Sequence, residues 1–214
     1  WAESFRSLPI WQMSTSYFIC GATTFLLSVH FVPYAIDRGV SPGTAATMFG
    51  LMSGLNILGS VGAGILADRF NRKNMLGIVY FVRGAGYMVL IVPGIFGVPV
   101  LSGDLGLWLF ASVAGFSWIA TAPLTSTLTA DVYGVRALGT ISGVTFLFHQ
   151  VGGFSSVLLA GLLYDLTGSY TIPFLLAGSL LFPAALSAFT IKERKYSVRY
   201  LVQSAPAPAP AVGD

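Results

Sequence analysis

The chain has 214 residues, of which 55% are hydrophobic and only 9% charged, with a mean hydropathy of +0.78. A soluble domain is nearer a quarter charged, so there are too few charges to cover a water-exposed surface, and lipid is the natural solvent. The net charge of +3, from 11 Lys+Arg against 8 Asp+Glu, is too small and dispersed for a nucleic-acid partner, and the one cysteine, Cys20, rules out an intrachain disulfide or a metal-ligand cluster.

The opening residues, Trp1 to Arg6, lack an initiator Met and read as the interior of a longer protein. Six apolar segments follow, each near the roughly 20 residues that cross a hydrocarbon core. They are Ile10–Ala35, Thr44–Leu66, Met75–Ile95, Leu105–Ala130, Ile141–Tyr164 and Ile172–Ile191. The connections are short and carry turn chemistry: Asp37 to Gly43, Asp68 to Asn74, Pro93 to Asp104, Asp131 to Gly139 and Asp165 to Tyr170. Strands are not expected, because lipid leaves no partner for an open sheet edge. The expected organisation is a lead-in over 1–9, a six-helix membrane domain over 10–191 and a tail over 192–214. Its Pro/Ala run, Gln203 to Pro210, reads as extended and disordered. The fold class is an all-α membrane protein.

Orientation follows from Lys and Arg. With the Asp68–Lys73 turn in the cytoplasm, that side holds Arg6, Arg69, Arg72, Lys73, Arg136, Lys192, Arg194, Lys195 and Arg199, against Arg38 on the other. Both termini are then expected in the cytoplasm, in a membrane of the bacterial inner type. Ala63 to Asp68 and Ala160 to Asp165 both read A-G-x-L-x-D and close the second and fifth segments. Three crossings separate them, so the copies lie on opposite faces, as in inverted three-helix repeats.

The second and third segments are joined by Gly64-Ile65-Leu66-Ala67-Asp68-Arg69-Phe70-Asn71-Arg72-Lys73. This turn resembles the signature loop of the major facilitator superfamily of transporters. Asn71 stands where that loop usually has Gly and is expected to tolerate the same left-handed geometry. Arg136-Ala137-Leu138-Gly139 with Gly143 is similar to the family's second cytoplasmic turn, and Gly161 to Tyr170 to its last external turn. Three stretches look most like the monocarboxylate-transporter and oxalate/formate-antiporter branch. These are His30-Phe31-Val32-Pro33-Tyr34-Ala35 with Asp37 and Gly39; Tyr80 with Arg83-Gly84; and Phe148-His149-Gln150-Val151-Gly152-Gly153. Family members have twelve helices in two halves, so the resemblance implies a C-terminal half. It also implies a missing N-terminal half or a second copy as partner, and a small organic solute, possibly with a proton, as cargo. Neither a cofactor nor a metal is expected.

The charged turn, Gly64, Asp68, Arg69, Arg72 and Lys73, reads as a conformational lock or as a topological anchor. Arg83 is the one formal charge well inside a span, about 12 Å from its end. It is expected to grip a carboxylate, or else to pair with an acid such as Asp131 or snorkel. His149 and Gln150 lie about 13 Å into the fifth helix and are candidates for binding the solute, with an interhelical hydrogen bond as the alternative. Asn56, Ser117, Trp118, Thr121 and Thr125 are further cavity candidates. His30 sits before Pro33, expected to kink the first helix as an outer hinge, or forms an interfacial His/Tyr pair. Cys20 reads as a packing residue. Pro123 is expected to bend the fourth helix, and Gly50-x-x-x-Gly54 and Gly139-x-x-x-Gly143 to allow close helix contact. A membrane enzyme or a channel is the competing class. The sequence carries no H-E-x-x-H, paired intramembrane acids, G-x-S-x-G or re-entrant filter loop.

Overall fold

The computed structural model describes residues 1–96 and 104–192. The Pro93–Asp104 connection lies partly outside them, and the basic and Pro/Ala tail almost wholly so. Among the described residues a short 3-10 turn, Ala2–Arg6, leads into seven helices: α1 (Leu8–Asp37), α2 (Pro42–Arg69), α3 (Arg72–Ile95), α4 (Asp104–Ser117), α5 (Thr121–Tyr133), α6 (Leu138–Thr167) and α7 (Thr171–Phe189). Counting α4 and α5 together, six spans among the described residues are long and apolar enough to cross a membrane.

Local chemistry sets the helix ends. Pro42 occupies the first turn of α2, where a missing N–H costs nothing, and the Ser41 hydroxyl accepts from the Thr44 N–H at 3.2 Å. Asn71 is not left-handed. Its φ is −79°, and its side chain caps α3 by accepting from the Lys73 N–H at 3.3 Å. Where left-handed backbone is needed, glycine supplies it: Gly39 (φ 87°) between α1 and α2, and Gly168 (φ 65°) after α6. α1 runs through Pro33 without interruption.

The fourth span is broken rather than bent, and the break at Trp118–Ala120 lies ahead of Pro123. Pro123 becomes the third residue of α5, where a helical N–H has no intrahelical partner in any case.

The main packing pairs are α1 with α6, α3 with α7 and α2 with α4, followed by α1 with α7 and α3 with α4. Exchanging the first three spans for the last three turns α1/α6 into α4/α2, leaves α3/α7 unchanged and turns α1/α7 into α4/α3. The packing therefore has the symmetry of two inverted three-helix repeats. Individual contacts keep it too. The shift of 97 residues from Asp68 to Asp165 also carries Phe18 to Gly115 and Leu55 to Gly152. A Cβ on Gly152 would overlap the Phe18 carbonyl, and one on Gly115 would come within 2.9 Å of Leu55 Cβ.

The glycines that make close contacts differ from the two sequence pairs. Gly21 packs on the His149 backbone and Gly59 on that of Phe116, whereas Gly50, Gly54, Gly139 and Gly143 face open space. α2 and α6 are the least buried spans. We expect Gly152→Ala to destabilise the chain by about 1–3 kcal/mol through overpacking against α1. Gly50→Ala should gain about 0.5–1 kcal/mol from helix propensity alone. Thermal unfolding in detergent measures both.

Candidate functional site

The break in the fourth span releases backbone groups that lipid cannot satisfy. Two side chains from neighbouring spans take them up. Arg83 on α3 is fully buried. Its Nη2 donates to the carbonyl of Ser117, the last residue of α4, and at 2.5 Å to that of Trp118. Its Nη1 reaches Thr23 Oγ1 at 3.3 Å and Cys20 Sγ at 3.6 Å. A cation at a helix C-terminus also opposes the negative end of the helix dipole. On the other side of the break the Ile119 N–H donates to Asn56 Oδ1 at 2.9 Å, and Asn56 Oδ1 also accepts from Ser60 Oγ at 3.3 Å. Trp118 is held by its indole N–H, which donates to the Thr24 carbonyl at 3.4 Å, and Thr121 by a 2.9 Å contact with Cys20. Arg83, Asn56, Trp118 and Thr121 thus converge on the break. Arg83 neither pairs with Asp131 nor snorkels.

Cys20 and Thr23, which no sequence motif marks, lie in this cluster, and the one available signal was their spacing with Tyr17 along one face of α1. Cys20 adjoins both Arg83 and His149. The His149 imidazole is buried, stacked on Phe146 with ring centres 5.5 Å apart, 4.6 Å from Tyr17 and 5.8 Å from Phe25. Its Nδ1 lies 3.2 Å from Gln150 Oε1.

Two grooves lie beside the neighbours of this ring. One, of about 330 Å³, is lined by Tyr17, Thr125, Ser126, Ser142, Thr145 and Phe146. Within it the Thr125 and Ser142 hydroxyls are buried without a hydrogen-bond partner among the described residues. The other, of about 520 Å³, runs along Phe25, Val29, Gln150, Gly153, Phe154 and Val157. His149 itself lines neither groove; its ring neighbours Tyr17 and Phe146 border the first, and Phe25 with Gln150 the second.

The charged turn ties four helices at one end of the bundle. Arg72 Nη1 bonds Asp131 Oδ1 on α5 at 2.5 Å and Nη2 reaches Asp68 at 3.4 Å. Lys73 Nζ donates to the Ile191 carbonyl, just past α7, at 3.0 Å. Arg69 is exposed, and Gly64 meets nothing where a Cβ would stand. At the opposite end His30 Nε2 lies 3.2 Å from the Val157 carbonyl and Nδ1 3.3 Å from Tyr170 Oη. The carbonyl can only accept, so Nε2 is protonated and Nδ1 accepts from the phenol. Burial, with Asp37 and Asp165 adding to it, pushes the Tyr170 phenol above its ordinary range and keeps it a donor. Among the described residues no group of His, Cys, Asp and Glu could hold a metal ion.

A membrane bundle of two inverted three-helix units, with a broken span at mid-depth and a charged tie at one end, is the architecture of secondary transporters. The chain belongs to the major facilitator superfamily, whose sequence pattern matches residues 13–212, and it is an integral membrane protein. It is 32% identical to YcxA, an uncharacterized MFS-type transporter of Bacillus subtilis, over 72% of this chain and 37% of that protein. It is 33% identical to human monocarboxylate transporter 12, over 83% of this chain and 34% of that protein. The fucose:proton symporter of E. coli superposes with a TM-score of 0.68, at 18% identity, over 88% of this chain and 44% of that one, a likeness of fold. The chain spans less than half the length of each of these proteins.

Replacing Asn56 by Leu leaves the Ile119 N–H without its acceptor. We expect a loss of about 1–3 kcal/mol, read as a lowered unfolding temperature in detergent, while Ser53→Ala in the same helix changes it far less.

Proposed function

We propose that this chain is the C-terminal six-span half of a secondary transporter that carries a small organic anion of the monocarboxylate class by alternating access. The observation that carries the reading is the wall at mid-depth that Tyr17, Phe146, Phe25 and Gln150 form around His149, the first two bordering one groove and the last two another. Such a wall can be approached from one groove or the other as the bundle rocks. The printed names of the relatives support the substrate class, and their greater length supports a missing N-terminal half. The open α2 and α6 faces, with the uncontacted glycines Gly50, Gly54, Gly139 and Gly143, are where that half would pack.

In this reading His149 and Gln150 touch the solute. Trp118 and Thr121 shape its wall from the broken span and Asn56 from α2, and His30 fastens the outer end through Tyr170. Gly64, Asp68, Arg69, Arg72 and Lys73 form the lock at the cytoplasmic end, made in one state and released in the other. Both termini lie in the cytoplasm of a bacterial inner membrane, as the Lys/Arg asymmetry supports. A solute-binding rather than enzymatic role fits the shortage of titratable groups at depth.

Reconstitution of the double-length protein in liposomes, with uptake of a panel of radiolabelled monocarboxylates, tests the reading. Saturable uptake is expected there and none from this chain alone. Uptake by the chain alone as a dimer would favour two self-paired copies. Uptake by a monomer would overturn the half-transporter reading. His149→Ala and Gln150→Ala should each raise KM about tenfold or more, the loss of one or two buried hydrogen bonds. Unchanged KM in both would remove them from the site. Asp68→Asn should slow turnover with insertion into the membrane intact. Normal uptake at normal expression would reduce the charged turn to an anchor.

A further inference from the structure

Arg83 carries a full charge that no carboxylate answers among the described residues. It is 0% exposed, and among the described residues its partners are two backbone carbonyls, a hydroxyl and a thiol. Its Nε is buried without any partner. Asp131 and Asp68 are engaged at one end of the bundle, where they hold Arg72. A neutral donor would satisfy the Ser117 and Trp118 carbonyls as well, without the cost of desolvating an ion. The partial negative charge of the α4 C-terminus, about half an elementary charge, leaves about half of the guanidinium's charge uncancelled.

That field falls on the proposed solute site. Cys20 separates Arg83 from His149 and touches both neighbourhoods, and Gly21 packs directly on the His149 backbone. The low dielectric between them screens poorly. We propose that Arg83 determines charge selectivity from behind the wall. It favours an anionic solute beside His149 and Gln150 electrostatically, without contacting it, while its hydrogen bonds hold the break in place. The inference rests on the transport reading above and adds the source of its anion preference.

The test uses the double-length protein in proteoliposomes and the ratio of apparent affinities for a short-chain monocarboxylate and its isosteric carboxamide. Arg83→Gln keeps amide donors for the carbonyls and removes the charge. We expect the carboxylate-to-carboxamide ratio to fall about tenfold or more, as for a unit charge roughly 10 Å away. Arg83→Lys keeps the charge and should retain the preference. Thr23→Asp leaves Arg83 in place and sets a carboxylate against its Nη1. It should lower the ratio as Arg83→Gln does, and it decides the matter if the glutamine variant does not fold. A purely structural arginine would change both affinities together and leave the ratio constant. A constant ratio in a folded Arg83→Gln or Thr23→Asp protein overturns the inference alone. A wild-type protein that transports no carboxylate overturns it together with the transport reading.

Discussion

The structure depends on how the freed backbone groups of the fourth span are satisfied. An unpaired carbonyl or amide in hydrocarbon costs several kcal/mol, and a helix broken at mid-depth exposes groups of both kinds. Arg83 supplies donors to the carbonyl end and Asn56 an acceptor to the amide end. These side chains come from α3 and α2. The break therefore couples all three spans that surround it, and it positions Trp118 and Thr121 against α1.

Close approach between helices is the second constraint. Lipid tails are as apolar as Leu, so membrane helices associate through packing. Gly21 and Gly152 let α1 and α6 meet backbone to backbone, and Gly59 and Gly115 do the same for α2 and α4. The repeat symmetry is kept while the small residue changes sides, since Gly152 corresponds to Leu55 and Phe18 to Gly115. What the inverted repeat preserves is the crossing, and either helix can supply the space. The α1/α6 crossing brings Cys20 beside His149 and so links the break to the aromatic wall.

The two ends of the bundle are fastened by different chemistry. One has the Arg72–Asp131 and Arg72–Asp68 pairs and the Lys73 bond to the Ile191 carbonyl. These charged groups are partly exposed, and partly exposed pairs contribute little each. Such a tie can be made and released at small cost. The other has His30 between Tyr170 and the Val157 carbonyl, with Tyr34 stacked on Phe174 at 4.6 Å and the Arg38 guanidinium over the Tyr34 ring at 4.9 Å. Aromatic side chains with polar tips suit a boundary that is apolar on one side and wet on the other.

The amino-acid sequence by itself determined the class of fold, the six spans and their approximate ends. Length and hydropathy suffice for these, because lipid demands uninterrupted apolar helix. The charged turn and the A-G-x-L-x-D repeat were also legible, being local in the chain. Asn56, Arg83, Ser117, Trp118 and Thr121 could be singled out, since polar groups in a span need partners. Their partners could not be named. For Arg83 the sequence allows a carboxylate solute, Asp131 or the membrane surface, and the structure gives it two carbonyls on another span. Pro123 drew attention away from the break ahead of it, and the G-x-x-x-G pairs away from the glycines that make contact. Only the tertiary structure decided these points, because hydrogen-bond partners and helix crossings join residues 30 to 130 positions apart, and no local pattern records which faces will meet.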